Sequence, residues 1–200
     1  MTRCLELGIS CVAVADHDTI AGALKLREIA PFRVIVAEEI ATTAGEIMGL
    51  FLSEGIRQGL SAQETISRIR NQGGLVAIPH PFGRSMLRHD NVLTSMEILS
   101  QVDIIEAFNS RTPFSSSIRR AEMLAKEQGK AASAGSDAHT LGEIGRAYVE
   151  MPEFDGPADF LDSLAQGKIF GQRSSYLIHL ASTWAKIRRH TPIGPSRNLP

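Results

Sequence analysis

Histidine and carboxylate residues stand where five short apolar runs of this 200-residue chain end. They are Asp16, His17, Asp18, Glu38, Glu39, His80, Glu106, Asp137 and His139. A single residue of this kind is usually a cap, a turn or a satisfied polar group, but five run ends with the same chemistry indicate a metal centre. Imidazole and carboxylate groups without cysteine suit zinc, manganese or iron. A hydrolase that uses several ions needs many such ligands.

Short apolar runs alternate with longer amphipathic stretches, which predicts an α/β fold with a largely parallel sheet. Strands are expected at 11–16, 33–40, 45–52, 75–80, 102–108, 131–139 and 147–152. Helices are expected at 19–30, 61–74, 91–100, 115–129 and 157–167. Because the carboxyl ends of parallel strands lie at one edge or mouth, the histidines and carboxylates should converge there. The pattern fits a closed barrel and an open sheet equally.

The composition gives no overall attraction to nucleic acid or to a membrane, because the net charge is −1. No apolar run approaches the roughly 20 residues of a membrane span, and the first residues have no signal-peptide pattern. Cys4 and Cys11 belong to no CxxC pair, which favours reduced thiols in a cytoplasmic protein.

The chain is predicted to hold one domain over residues 1–170 and a basic, partly disordered tail over residues 171–200. No acidic residue follows Asp162, so nucleic acid could contact this tail. At the other end, MTRCLELGIS is expected to be the last turns of a helix that ends at Gly8. No strand precedes that helix, and the sequence is therefore expected to begin inside a βα unit.

Six motifs in order, ADHDT, AEEI, GEIMGLFL, GGLVAIPHPFGR, VDIIEAFNSR and AGSDAHTLGEIG, resemble the PHP family, named for polymerase and histidinol phosphatase. The resemblance covers residues from about Leu5 to Gly171. It implies a distorted (β/α)7 barrel that lacks its first strand here, since the His-x-His motif with which the family opens is absent from this chain. It also implies two or three divalent ions (zinc, manganese or iron) and a metal-activated water that hydrolyses a phosphate monoester.

The same resemblance assigns roles to individual residues. The implied metal ligands are His17, Glu39 as the bridging carboxylate, His80, Asp137 and His139. Asn109, Arg111 and Arg84 are expected at the substrate mouth, with Arg111 and Arg84 gripping the phosphate because guanidinium suits bidentate contact.

Four carboxylates receive supporting or structural interpretations. Asp16 and Asp18 are expected to orient His17 or assist proton transfer, and Asp18 could equally cap the helix that begins near Thr19. Glu38 is expected to be exposed or to support a ligand. Glu106 is interpreted as a structural acceptor rather than a ligand.

The expected substrate is a small phosphorylated metabolite, a nucleotide or the end of an oligonucleotide. Two other functions stay open. The first is a truncated or degenerate non-catalytic module that binds metal or a partner, which would show weak metal affinity and no turnover. The second is a nucleic-acid-binding fragment led by the basic tail, which would show salt-dependent binding without metal.

Overall fold

The structure, a computed structural model, describes residues 1–83 and 95–174. These residues form a mixed α/β fold. The strands are β1 (Cys11–His17), β2 (Arg33–Thr42), β3 (Gly45–Leu50), β4 (Leu75–Ile78), β5 (Ile104–Asn109), β6 (Ala131–Gly135), β7 (Ala147–Glu150) and β8 (Lys168–Gly171). The helices are α1 (Thr2–Glu6), α2 (Ala21–Ile29), α3 (Ala62–Asn71), α4 (Met96–Leu99), α5 (Ser115–Glu127) and α6 (Gly156–Ala165).

Strands β1 to β6 form one sheet in chain order, and β7 and β8 form a separate antiparallel pair. Strand β3 is antiparallel to both of its neighbours, whereas the other adjacent pairs in the sheet are parallel. Every strand of the sheet except β3 therefore runs in the same direction. The sheet curls into a half-barrel, and the carboxyl ends of β1, β2, β4, β5 and β6 lie along one edge of it.

Strand alternation divides the apolar residues into two layers, one on each face of the sheet. On the first face, Val36, Ile40 and Ile47 pack with residues of α2, α3, α4 and α5. On the second face, Ile35, Ala37 and Leu50 pack with the aromatic residues beside and within α6. The register places Ala37, Glu39 and Ala41 of β2 on this second face.

The predicted elements are present over most of the described chain. The turn between β2 and β3 is the expected hairpin, and Ser61 caps α3 by accepting a hydrogen bond from the Glu64 N–H at 3.2 Å. The amino-terminal helix α1 is also confirmed, with Gly8 beyond its end at a φ of +67°.

Three details differ from the prediction. Strand β6 ends at Gly135 rather than at residue 139, because the chain turns sharply where Asp137 takes a φ of +49°. Strand β8 and a 3-10 turn over Leu141–Glu143 were not predicted, since both are too short for a clear periodicity. Helix α4 is shorter than 91–100, and residues 91–94 of that prediction lie outside the described residues. Within the described ranges, no helix has the length and apolar character needed to cross a membrane.

Candidate metal centre

The side chains predicted to bind metal lie along the edge where five strands end. His17 is the last residue of β1 and pairs in register with Glu39 of β2. His80 follows β4 by two residues, and Asp137 follows β6 by two. Asp18, His80 and Asp137 have positive φ values of 54°, 27° and 49°. Such a backbone is uncommon for residues other than glycine and often occurs at functional sites.

Glu39 lies between His17 and His80, with each carboxylate oxygen directed at a different histidine. Its Oε1 lies 2.8 Å from Nε2 of His80, and its Oε2 lies 3.7 Å from Nε2 of His17. Glu39 is buried, whereas His17 is exposed. The geometry therefore gives one buried carboxylate two separate imidazole neighbours, one on each oxygen.

A second set of hydrogen bonds connects His80 to the ends of β5 and β6. The backbone N–H of His80 donates to Oε2 of Glu106 at 2.7 Å, and the Asn109 side-chain amide donates to the same oxygen at 3.1 Å. The Asn109 amide also lies 3.4 Å from Oδ2 of Asp137. Through these hydrogen bonds, Glu106 fixes the backbone that carries His80, and Asn109 connects this backbone to Asp137. Burial raises the pKa of the Glu106 carboxyl group.

The loop after β6 is held by Glu143, a carboxylate with no solvent exposure. One oxygen of Glu143 accepts from Arg111 at 3.1 Å, and the other accepts from the His139 N–H at 3.1 Å and from the Thr140 hydroxyl at 3.0 Å. The His139 ring lies close to its neighbour, with Nδ1 3.0 Å from the Asp137 carbonyl oxygen. The ion pair with Glu143 thus fixes Arg111 at the base of the loop that carries Asp137 and His139. The sequence analysis did not single out Glu143.

Asp18 holds the end of β1 against β2 instead of capping a helix. Its side chain accepts from the Ala41 N–H at 3.0 Å, and its own N–H donates to the Glu39 carbonyl at 3.1 Å. The expectation that Asp18 caps α2 is wrong, because that helix starts after Ile20 without a side-chain cap. By joining β1 to β2 beside the pair of His17 and Glu39, Asp18 fixes the distance between them.

Asp16 and Glu38 lie on the helix-covered face, opposite His17 and Glu39, because adjacent strand residues point to opposite faces. Asp16 makes no hydrogen bond to His17 within the part of the chain that is described. The expectation of an exposed Glu38 is also wrong, since Glu38 is 1% exposed and accepts from the Ile56 N–H at 2.8 Å. Burial raises the pKa of Glu38.

One carboxylate on the same face as Glu39 was not predicted from the sequence. The nearest ligand atoms of His17, Glu39 and Glu46 all lie within 4.8 Å of one another. Glu46 is the second residue of β3, the strand that begins at the edge where its neighbours end. Glu46 could not be found among residues at strand ends. The predicted hairpin was the available signal, because it makes β3 begin at the edge where β2 ends. Arg84, the other predicted phosphate contact, lies outside the described residues.

The donor set at this edge suits a divalent cation. The groups directed at Glu39 are imidazoles, and the neighbouring acceptors are carboxylates, which together form a common ligand set for zinc, manganese and iron. Burial raises the pKa of Glu39, but the hydrogen bond from His80 and the charges of His80, His17 and His139 outweigh this effect and hold the pKa below its usual value. Glu39 is therefore a carboxylate at neutral pH, as a metal ligand must be.

His80 makes the stability of the metal-free protein depend on pH. Burial lowers the pKa of His80, but the Glu39 hydrogen bond and the charges of Glu106, Glu39 and Asp137 raise it from 6.5 to about 9. The protonated histidine stabilises the fold fully below pH 6.5, and this contribution is lost as the pH rises through about 9. Chemical denaturation without metal should show a loss on the order of 3 kcal/mol across this window.

The His80→Gln variant provides the control for this prediction, because it lacks the titrating imidazole. Its free energy of unfolding should change much less over the same pH range. Equal pH dependence in the variant and the parent protein would contradict the assignment. Added Mn²⁺ should reverse the trend, because the cation displaces the proton from His80 and binds up to about tenfold more tightly per pH unit below pH 9.

Part of this chain matches a known family in sequence, and its fold resembles solved structures. Residues 116–169 match a family model described as PHP-associated. The fold resembles that of a two-domain protein from Bacteroides vulgatus that contains a predicted PHP-like metal-dependent phosphoesterase, with a TM-score of 0.61 and 13% identity over 90% of this chain and 61% of that one. These matches support a PHP-family domain in this chain.

The chain has further relatives in sequence and in fold. An uncharacterized protein of Methanocaldococcus jannaschii is 37% identical over 162 residues, and a second from the same organism is 47% identical over 78 residues. These alignments cover 76% and 38% of this chain, and only 65% and 46% of the two relatives. The structure of PsfC from Pseudomonas syringae is similar, with a TM-score of 0.67 and 14% identity over 94% of this chain and 87% of that one. At identities this low, the structural likeness establishes the fold.

Proposed function

We propose that this PHP domain is a metal-dependent phosphoesterase that hydrolyses a phosphate monoester of a small metabolite, a nucleotide or an oligonucleotide end. The observation that carries the proposal is the geometry of Glu39, whose two oxygens face two different histidines. A carboxylate with this arrangement can bridge two divalent ions. The sequence resemblance supports the same role for Glu39.

The residues that would hold two or three divalent ions are His17, Glu39, His80, Asp137 and His139. When bound, such ions lower the pKa of a coordinated water so that hydroxide is available near neutral pH. Glu106 and Asn109 fix His80 and Asp137 relative to each other, and Asp18 fixes His17 beside Glu39. This preorganisation reduces the rearrangement that the site needs during reaction.

Phosphate binding is assigned to Arg111, Asn109 and Arg84. A guanidinium group presents its N–H donors in a planar fork that suits bidentate contact with a phosphate, and Arg111 lies beside the loop that carries Asp137 and His139. The Asn109 amide lies beside Asp137 at the same edge. No chemical step is assigned to Asp16, because it lies on the opposite face of the sheet.

The finer features implied by the family resemblance belong to this proposal as well. They are a (β/α)7 barrel around the described sheet, a domain boundary near residue 170, and a cytoplasmic location. The basic segment 171–200, of which residues 175–200 lie outside the described part, is proposed as a contact for nucleic acid substrates.

Hydrolysis of an aryl phosphate by purified protein with added Mn²⁺ tests the proposed function. The informative variant is Asp137→Asn, since asparagine tolerates the positive φ of this position but is a much poorer metal ligand. We expect its activity to fall by at least about 100-fold, because even partners outside the ligand shell contribute 10–100-fold to metal affinity. Asp162→Asn, the same change on the exposed side of α6, should leave activity unchanged.

Chelation provides the second arm of the same experiment. Removal of metal should abolish turnover, and Mn²⁺ or Zn²⁺ should restore it. Metal binding without turnover on any phosphate monoester would instead support a non-catalytic metal-binding module. Turnover that survives complete chelation would contradict the proposed function.

A further inference from the structure

Glu46 is brought to the metal-binding edge by the hairpin between β2 and β3. The turn is closed by Thr42, whose hydroxyl donates to the Gly45 carbonyl at 2.6 Å and accepts from the Ala44 N–H at 3.1 Å. The register then pairs Glu46 with Ala41, and Met48 with Glu39. Cross-strand partners share a face, so Glu46 projects from the same face as Glu39, two pairs closer to the turn.

Among the residues that the structure describes, Glu46 has no other partner that would explain its position. Across residues 1–83 and 95–174, no hydrogen bond or ion pair of its carboxylate is formed. Its oxygen, the exposed imidazole of His17 and an oxygen of Glu39 lie within 4.8 Å of one another. Two ligand atoms on one ion with bonds of about 2.1 Å are at most about 4.2 Å apart, so a small side-chain rotation suffices to bring all three onto one cation.

We propose that Glu46 is a metal ligand of this domain, forming a cation position with His17 and one oxygen of Glu39. This inference rests on the proposed metal-dependent function and adds a ligand to it. Two carboxylates with a neutral imidazole carry a charge that matches one divalent cation. The mixture of oxygen and nitrogen donors suits Mn²⁺, Fe²⁺ or Zn²⁺. The position is separate from the one beside His80, which faces the other oxygen of Glu39.

The proposed cation also explains why a second carboxylate, that of Glu46, lies so close to Glu39. Two carboxylates at this distance repel each other in the metal-free protein. A divalent ion between them converts the repulsion into attraction. Removal of the Glu46 charge should therefore have opposite effects on the metal-free and the metal-loaded protein.

Counting of bound Mn²⁺ tests the inference, with free Mn²⁺ measured by electron paramagnetic resonance during a titration at constant pH. The variant is Glu46→Gln, and the matched control is Glu122→Gln, the same change on the exposed side of α5. We expect at least two ions in the parent protein and in the control. The variant should bind one ion fewer in the same concentration range, with the lost ion weakened at least about 10-fold.

Thermal denaturation gives a readout that a merely structural role would not produce. Metal-free Glu46→Gln should melt at a higher temperature than the parent protein, yet gain less from added Mn²⁺. Equal ion counts and affinities in variant and parent would overturn the role of Glu46 and leave the proposed function intact. A parent protein that binds no Mn²⁺ would overturn both.

Discussion

Replacement of Glu39 by glutamine is expected to lower metal-dependent phosphate ester hydrolysis by about 100- to 10,000-fold. An amide has one weak oxygen donor, so it cannot serve the two positions beside His80 and His17 at once. Removal of a residue that supports a metal ligand lowers metal affinity about 10- to 100-fold. If each of two ions is weakened this much, the combined loss is about 100- to 10,000-fold. Steady-state kinetics at fixed Mn²⁺ measures it, and a high Mn²⁺ concentration should restore only part of the rate.

The neighbouring residue offers a matched control for this variant. Glu38 has the same side chain and a similar burial, but it lies on the helix-covered face and accepts from Ile56. Glutamine keeps the shape of Glu38 and an oxygen that can accept from the Ile56 N–H, so Glu38→Gln should leave the rate within about threefold of the parent. A Glu39→Gln variant as active as Glu38→Gln would contradict the central role of Glu39.

Removal of the Glu143 carboxylate is expected to produce the largest loss of stability among the described site residues. The Glu143→Ala change removes the buried carboxylate that accepts from the guanidinium of Arg111 and from the His139 N–H. Breaking a buried ion pair from one side costs about 3 to 5 kcal/mol. For a domain of this size, the melting temperature should fall by roughly 6 to 20 °C.

A double replacement separates charge from packing in this ion pair. Arg111→Met together with Glu143→Leu removes both charges, and we expect it to recover much of the lost stability, since apolar residues often substitute well for buried pairs. It should not recover activity, because Arg111 is proposed to contact the phosphate. A Glu143→Ala protein within about 0.5 kcal/mol of the parent in a denaturant titration would show that Glu143 does not hold the loop.

The edge that carries the candidate ligands could be predicted because it depends on short-range patterns and one topological rule. Apolar runs that stop at His17, Glu39 and His80 are visible in the sequence, and parallel strands place such stops together. The one antiparallel strand of the six-stranded sheet, β3, could also be predicted, because the turn before it has the pattern of a hairpin. This is why the fold and most of the candidate ligands follow from the sequence.

The wrong and missed residue assignments have a different origin. They depend on which face of the sheet a residue lies on and on contacts with residues far away in the sequence. Asp16 and His17 are adjacent in sequence, but strand alternation sends them to opposite faces, and the partner of Asp18 is a backbone group 23 residues away. Glu46 lies at the site because its strand, β3, begins there, whereas the neighbouring strands end there. Glu143 acts through an ion pair that spans 32 residues. The distant partners of Asp18 and Glu143 leave no local pattern in the sequence, whereas Glu46 was indicated by the predicted hairpin.

Anomalous diffraction from crystals grown with Mn²⁺ would test the central claim most directly, because it locates the ions without reference to activity. We predict two peaks about 2.0 to 2.3 Å from the carboxylate oxygens of Glu39. One peak should lie on the side of His80, and the other should lie between His17 and Glu46. Bound Mn²⁺ with no peak at Glu39 would contradict a metal centre built on this residue.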